Sequence, residues 1–134
     1  MTVIQKWLTF RKQRIVAESQ AWLEIMDIFA SIKQEILDFR DERDWEQFHN
    51  AKDLAIALNV ESSELLEEFL WKDADKADVK AVEEEVADVV IYSILLADRC
   101  GISLVDAIRN KLAANRIKYP VEKAKGSAEK YTKL

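Results

Sequence analysis

Apolar residues recur at three- and four-residue intervals along most of the chain, the period of an α-helix with one buried stripe. Ile28, Phe29, Ile32, Ile36, Leu37 and Phe39 predict a helix from about Asp27 to Arg43. A polar and aromatic connection follows, Asp44-Trp45-Glu46-Gln47-Phe48-His49. Asn50 with Asp53 three residues later forms a start resembling a capping box, and the helix it opens reads to about Trp71. The polar segment Lys72 to Lys76 reads as a loop. A third helix covers roughly Asp78 to Arg99 and is stopped by Gly101. Ser103 and Asp106 open a fourth, which must end before Pro120 because the residue preceding a proline is driven out of the α region. The tail from Val121 to Leu134 is polar and predicted to be irregular. At the other end, Ile4, Trp7, Leu8, Ile15, Trp22 and Leu23 suggest a further, loosely amphipathic helix.

Composition sharpens this picture. Two glycines and one proline in 134 residues are too few for the tight turns that sheets require, so the fold class is all-α. The length suits one domain with a modest core. The formal net charge of −5 disfavours nucleic-acid binding through phosphate neutralisation. Cys100 is the sole cysteine, which excludes an intrachain disulfide and fits a reducing cytoplasm, the expected location. No apolar run approaches the roughly 18–20 residues of a membrane span, so no membrane partner is expected. Residues 1–25 differ from the rest. Lys6, Arg11, Lys12 and Arg14 against Glu18 and Glu24 leave them at +2, with −7 on residues 26–134. They are read as an N-terminal extension without the apolar run of a secretion signal. Met26 is a candidate natural start; an additional packing or oligomerisation helix is the competing reading.

Two pairs of carboxylates carry the chemical signal. Glu61 and Glu64 lie three residues apart, and so do Glu85 and Asp88. Residues at that spacing share one helix face. Two helices packed side by side can therefore bring the four to one point, where a positive charge has to sit among them. A hard divalent cation such as Mg2+ takes oxygen ligands and commonly brings phosphates with it. Asp88 is the sharpest anomaly: from Val86 to Ala97 every residue except Asp88 and Ser93 is hydrophobic. For a lone Asp the plainer account is a helix face turned to solvent, but Glu85 one turn earlier argues against it. Ser62 and Ser63, flanked by the first pair, leave room for a ligand or a close helix. Glu67 and Glu68 continue the acidic character, whereas Glu83 and Glu84 precede the apolar part of their helix and read as outside the site.

Other carboxylate and metal chemistries fit poorly. A di-iron bundle needs Glu-x-x-His on two helices, and the single histidine, His49, lies in a connection. Zinc ligands are missing, and so is a glycine-rich phosphate loop. A phosphate would have to be held by metal and by cationic side chains. Lys111 and Asn115 share a face of the fourth helix, followed by Arg116, Lys118 and Tyr119. Lys111 suits a phosphate and Asn115 a sugar hydroxyl or phosphate, although a basic helix C-terminus also simply complements the macrodipole. Trp45 and Trp71, at a connection and a helix end, are rings that can stack on a base or pack against the protein.

Glu61-x-x-Glu64 followed by Glu85-x-x-Asp88 resembles the metal motif of the MazG-like all-α nucleoside triphosphate pyrophosphohydrolases. The segments Arg43-Asp44-Trp45-Glu46-Gln47-Phe48-His49, Phe69-Leu70-Trp71-Lys72, Asn115-Arg116-x-x-Tyr119-Pro120 and Gly126-Ser127-Ala128-x-Lys130-Tyr131-Thr132 resemble its dCTP pyrophosphatase branch. The resemblance covers residues 27–132 and implies a MazG-like domain over residues 26–134. It implies a fold of four to five helices that completes a helical bundle by dimerisation, with dimers often paired into tetramers. It implies an enzyme that hydrolyses (deoxy)nucleoside triphosphates, dCTP-like first, to monophosphate and pyrophosphate, for nucleotide-pool cleansing. By the same resemblance Glu61, Glu64, Glu85 and Asp88 are the catalytic Mg2+ ligands, Lys111, Asn115 and Tyr119 hold phosphates and sugar, and Trp45 and Trp71 border the base. Two alternatives stay open: a broad pyrophosphohydrolase for purine or modified nucleotides, and a non-catalytic helical module that binds nucleotides or partners. Base and sugar preference, metal count and dimer versus tetramer are left open by the sequence.

Overall fold

The computed structural model describes residues 3–133. Five α-helices follow one another among them, α1 (Val3–Asp41), α2 (Ala51–Glu67), α3 (Val79–Arg99), α4 (Leu104–Lys118) and the short α5 (Val121–Ala124). Single turns of 3-10 helix lie at Glu46–Phe48, Ala74–Lys76 and Tyr131–Lys133. No strand occurs among the described residues, in keeping with the all-α reading. The chain divides into two compact units, Met1–Gln47 and Phe48–Leu134.

The first unit is built on α1. The sequence suggests two helical stretches, one before residue 25 and one from about Asp27. The backbone is instead one helix of 39 residues. Nothing between them breaks it, since Gln20 to Asp27 contain neither glycine nor proline. The helix ends two residues before the expected Arg43. Of its predicted apolar stripe, Phe29, Ile36 and Leu37 are half-buried, while Ile28, Ile32 and Phe39 remain exposed. The side chains of Ile4, Trp22, Leu23 and Met26, on which the N-terminal extension was read, lie outside the described residues.

In the second unit two helix starts follow the predicted caps at Asn50 and Ser103, and the third is capped by Asp78. The Asn50 side chain accepts from the Asp53 N–H at 3.0 Å and opens α2. The Asp78 carboxylate accepts from the Lys80 N–H at 3.0 Å and opens α3. The Ser103 hydroxyl accepts from the Asp106 N–H at 3.4 Å and opens α4, which stops at Lys118, ahead of Pro120. Two stretches depart from expectation. α2 ends at Glu67, four residues short of Trp71, because the chain tightens into i→i+3 turns. The Phe69 N–H donates to Leu66 O at 3.1 Å and the Leu70 N–H to Glu67 O at 2.9 Å. The tail is also not wholly irregular, since α5 and the last 3-10 turn lie within it.

α2 against α3 is the one extensive interhelical contact among the described residues. The buried residues belong to that pair: Leu54 on α2, and Ile94, Leu95 and Ala97 on α3. The C-terminal part of the apolar run on α3 thus forms the core of the unit with Leu54. Ile94 is 2% exposed. Ile94→Ala should cost about 2–5 kcal/mol in a urea titration, a large fraction of the stability of a domain this size; a loss below 1 kcal/mol would show that the core lies elsewhere.

Candidate metal and nucleotide site

α2 and α3 present their acidic faces to one another. Carboxylate oxygens of Glu61, Glu64 and Glu85 come within 4.8 Å of one another, a spacing at which one cation can take a ligand from each. Asp88 stands one turn beyond Glu85 on α3. It lies outside that grouping but near enough for its charge to act on both Glu61 and Glu85. None of the four forms an ion pair among the described residues.

Electrostatics record the resulting tension. Burial, followed by the charges of Glu64, Asp88 and Glu85, pushes the Glu61 carboxyl above the ordinary range. Burial and then Glu64, Asp88, Glu68 and Glu84 push Glu85 the same way. The Glu85 Oε2 atom is buried and has no hydrogen-bond partner among the described residues. A buried acceptor left without a donor is costly. A cation ligated by this oxygen would supply its partner and reverse the like-charge repulsion, so the donor set fits a hard divalent ion.

The surrounding side chains keep the space clear. Ser62 and Ser63 turn their hydroxyls back onto their own helix, donating to Leu58 O at 2.7 Å and Asn59 O at 2.9 Å. Glu68 pairs with Lys72 at 3.6 Å, which partly neutralises the nearest further acid. Glu84 is exposed and faces Lys80 at 4.0 Å.

Tyr92 is a site residue the sequence reading passed over. Burial, then the charges of Glu61 and Asp88, raises its phenol. Tyr92 lies four residues after Asp88, on the same face, and counting tyrosine among the hydrophobic residues hid it. A phenol one turn beyond a lone acid was the available signal.

The remaining residues singled out from the sequence are placed less tightly. Trp71 sits in the left-handed region at φ 59° and is 95% exposed. Lys111 is exposed and Asn115 half-buried on α4, which lacks extensive packing against the α2–α3 pair. Tyr119 caps α4, its N–H donating to Asn115 O at 2.8 Å, and its ring meets Tyr131 edge-on at 5.8 Å. Trp45 belongs to the first unit, 44% exposed.

Residues 56–134, which hold all four carboxylates, match the sequence model of the MazG-like family. The chain belongs to the MazG-like family. Over 105 residues it is 45% identical to the dCTP pyrophosphatase 1 of Rattus norvegicus and 43% identical to that of Mus musculus. Each match takes in 72% of this chain and 62% of the relative, so the chain spans less than two thirds of the length of these relatives. A crystal structure of a pyrophosphatase from Archaeoglobus fulgidus is similar at a TM-score of 0.64 and 35% identity, covering 69% of this chain and 92% of that one. The MazG-like helical fold is therefore shared with a solved relative.

The raised carboxyls of this MazG-like chain give a signed pH dependence. Where folding raises an acid's pKa, the stability it contributes is present below the unfolded value and is lost as pH rises through the folded one. In EDTA at pH 7, Glu85→Gln should thus melt above the parent, and the gap should close as pH falls below the usual carboxylate range, near ~4. Mg2+ at ~100 times its dissociation constant should stabilise the parent by about 2.7 kcal/mol. Glu85→Gln should lose most of that shift. An equal Mg2+ response in both proteins would remove Glu85 from the ligand set.

Proposed function

We propose that this chain hydrolyses deoxynucleoside triphosphates, dCTP-like first, to the monophosphate and pyrophosphate with the help of Mg2+. The observation that carries the reading is the convergence of Glu61, Glu64 and Glu85 within 4.8 Å, with no ion pair to any of them among the described residues. Support for the substrate comes from the likeness to proteins named dCTP pyrophosphatase 1.

Glu61, Glu64, Glu85 and Asp88 would hold the cation. When bound it would supply charge neutralisation for the triphosphate and acidify water. One of the glutamates orients the attacking water and takes its proton. The water oxygen forms a bond to the α-phosphorus, the bond from that phosphorus to the bridging oxygen breaks, and pyrophosphate leaves. No side chain becomes covalently attached. The Tyr92 phenol, raised by burial and then by the Glu61 and Asp88 charges, would donate to substrate or carboxylate oxygen. Lys111 meets a phosphate as a point charge, Asn115 and Tyr119 hold sugar or phosphate, and Trp45 and Trp71 border the base. The biological role would be nucleotide-pool cleansing in the cytoplasm.

The protein would act as a homo-oligomer. Support comes from apolar faces that the second unit leaves uncovered: Ile56, Val60 and Leu66 on α2, Val86 and Val90 on α3, and Ile108 and Leu112 on α4 are all exposed. A second copy completing a helical bundle would cover these faces.

Pyrophosphate release from a panel of deoxynucleoside and nucleoside triphosphates, with Mg2+ and with EDTA, tests the reading. Strongest release is expected with dCTP and none in EDTA. Asp88→Asn should lose at least ~100-fold in turnover while keeping its circular dichroism spectrum. Preferential release from purine or modified nucleotides would favour the broad enzyme. Folded protein with no release from any nucleotide would favour the binding module.

A further inference from the structure

Two helices of this chain end in the same way. Beyond α3, the Gly101 N–H donates to Asp98 O at 3.0 Å and the Ile102 N–H to Ala97 O at 2.8 Å, with Gly101 at φ +66°. Beyond α1, the Asp44 N–H donates to Asp41 O at 2.9 Å and the Trp45 N–H to Arg40 O at 3.1 Å, with Asp44 at φ +54°. Both are Schellman ends, in which one left-handed residue turns the chain out of the helix. Glycine takes that conformation freely, and residues with a Cβ resist it. α3 uses glycine there; α1 uses an aspartate.

The aspartate adds something that glycine would not. Gln47 Nε2 donates both to the Asp44 carbonyl and to Asp44 Oδ2, each at 2.9 Å. This clamp ties together the residue just before Trp45 and the residue two after it. Trp45 occupies the position that packs back onto the last helical turn, and its ring meets Phe39 edge-on, with centroids 6.0 Å apart and planes at 77°. The Arg43 guanidinium lies 3.6 Å from the Phe39 ring centroid, and its Nη1 donates to Phe39 O at 2.8 Å.

We propose that Asp44 and Gln47 are positioning residues whose clamp fixes the Trp45 indole in one orientation against Phe39, ready to receive a nucleobase. This rests on the reading of Trp45 as a residue that borders the base. Closing the helix needs no such device, as the glycine end of α3 shows. An indole held before binding loses less conformational freedom when the base arrives, so the clamp acts on KM rather than on the chemical step.

The test uses the full chain labelled with fluorotryptophan, in parallel with dCTP kinetics in Mg2+. The Trp45 resonance is assigned by its loss in Trp45→Phe. Gln47→Met removes the donor at similar length, Asp44→Ala removes the carboxylate acceptor and the tolerance of positive φ, and Asp44→Asn keeps both. Gln47→Met and Asp44→Ala are expected to raise KM by about 3- to 10-fold with kcat held, the scale of one net hydrogen bond. They should shift or broaden the Trp45 resonance alone among the tryptophans, and Asp44→Asn should restore both readouts. A raised KM in Trp45→Ala beside an unchanged KM and resonance in Gln47→Met overturns the proposal and leaves the base-bordering reading standing. An unchanged KM in Trp45→Ala overturns both. A lowered melting temperature with the Trp45 resonance unmoved would make the clamp merely structural.

Discussion

Everything in the second unit is arranged around a repulsion. α2 and α3 can pack only by bringing like charges together, since the faces they share carry Glu61 and Glu64 on one side and Glu85 and Asp88 on the other. The apolar contact around Leu54, Ile94, Leu95 and Ala97 has to outweigh that cost. Fully burying an aliphatic side chain contributes about 1.5–3 kcal/mol, so a few such residues can hold the pair together against partly solvated carboxylates. The acidic cluster and the core lie on the same two helices because each needs the other: the core enforces the convergence, and the convergence is of use only if it is enforced. A pair of helices free to splay would relieve the repulsion by separating and would present no preformed ligand set.

The described core is small for the helices it supports. Large apolar side chains on α2, α3 and α4 remain exposed, while among the described residues the only extensive interhelical contact is α2 against α3. Net stability is a small difference between burial and chain entropy, and a helical unit this open gains little on its own. The uncovered faces are therefore as much a part of the energetics as the buried ones, and an assembly that covers them would stabilise the fold and the carboxylate cluster together.

How much of this was legible depended on whether the signal was local. The caps at Asn50 and Ser103 and the stop at Gly101 are statements about three or four neighbouring residues, and the structure follows them. The carboxylate pairs were legible because a three-residue spacing on a helix fixes a shared face, and two such pairs in apolar helices left little choice about which faces meet. Other features depended on chemistry that residue classes conceal. Tyr92 was hidden because a phenol counts as hydrophobic until its neighbours are known. The end of α2 was misjudged because Phe69, Leu70 and Trp71 continue an apolar pattern after the backbone has left the helix. The continuity of α1 was missed because a change in charge near residue 25 looked like a boundary, though charge does not break a helix where glycine and proline are absent.

The departures from local rules have a common location. Asp44 and Trp71 are the non-glycine residues at positive φ among the described residues, and each either adjoins or is a tryptophan. Asp44 closes α1 as Gly101 closes α3, whereas Trp71 lies in the turn four residues beyond the end of α2. A residue with a side chain in that conformation costs about 1–2 kcal/mol relative to glycine. At Trp71 the left-handed backbone projects a large ring almost wholly into solvent, which contributes nothing to this chain's own core. Strain beside an exposed aromatic is thus spent on presentation rather than on folding. Of the two rings beside these positions, Trp45 packs edge-on against Phe39, while Trp71 stands in solvent.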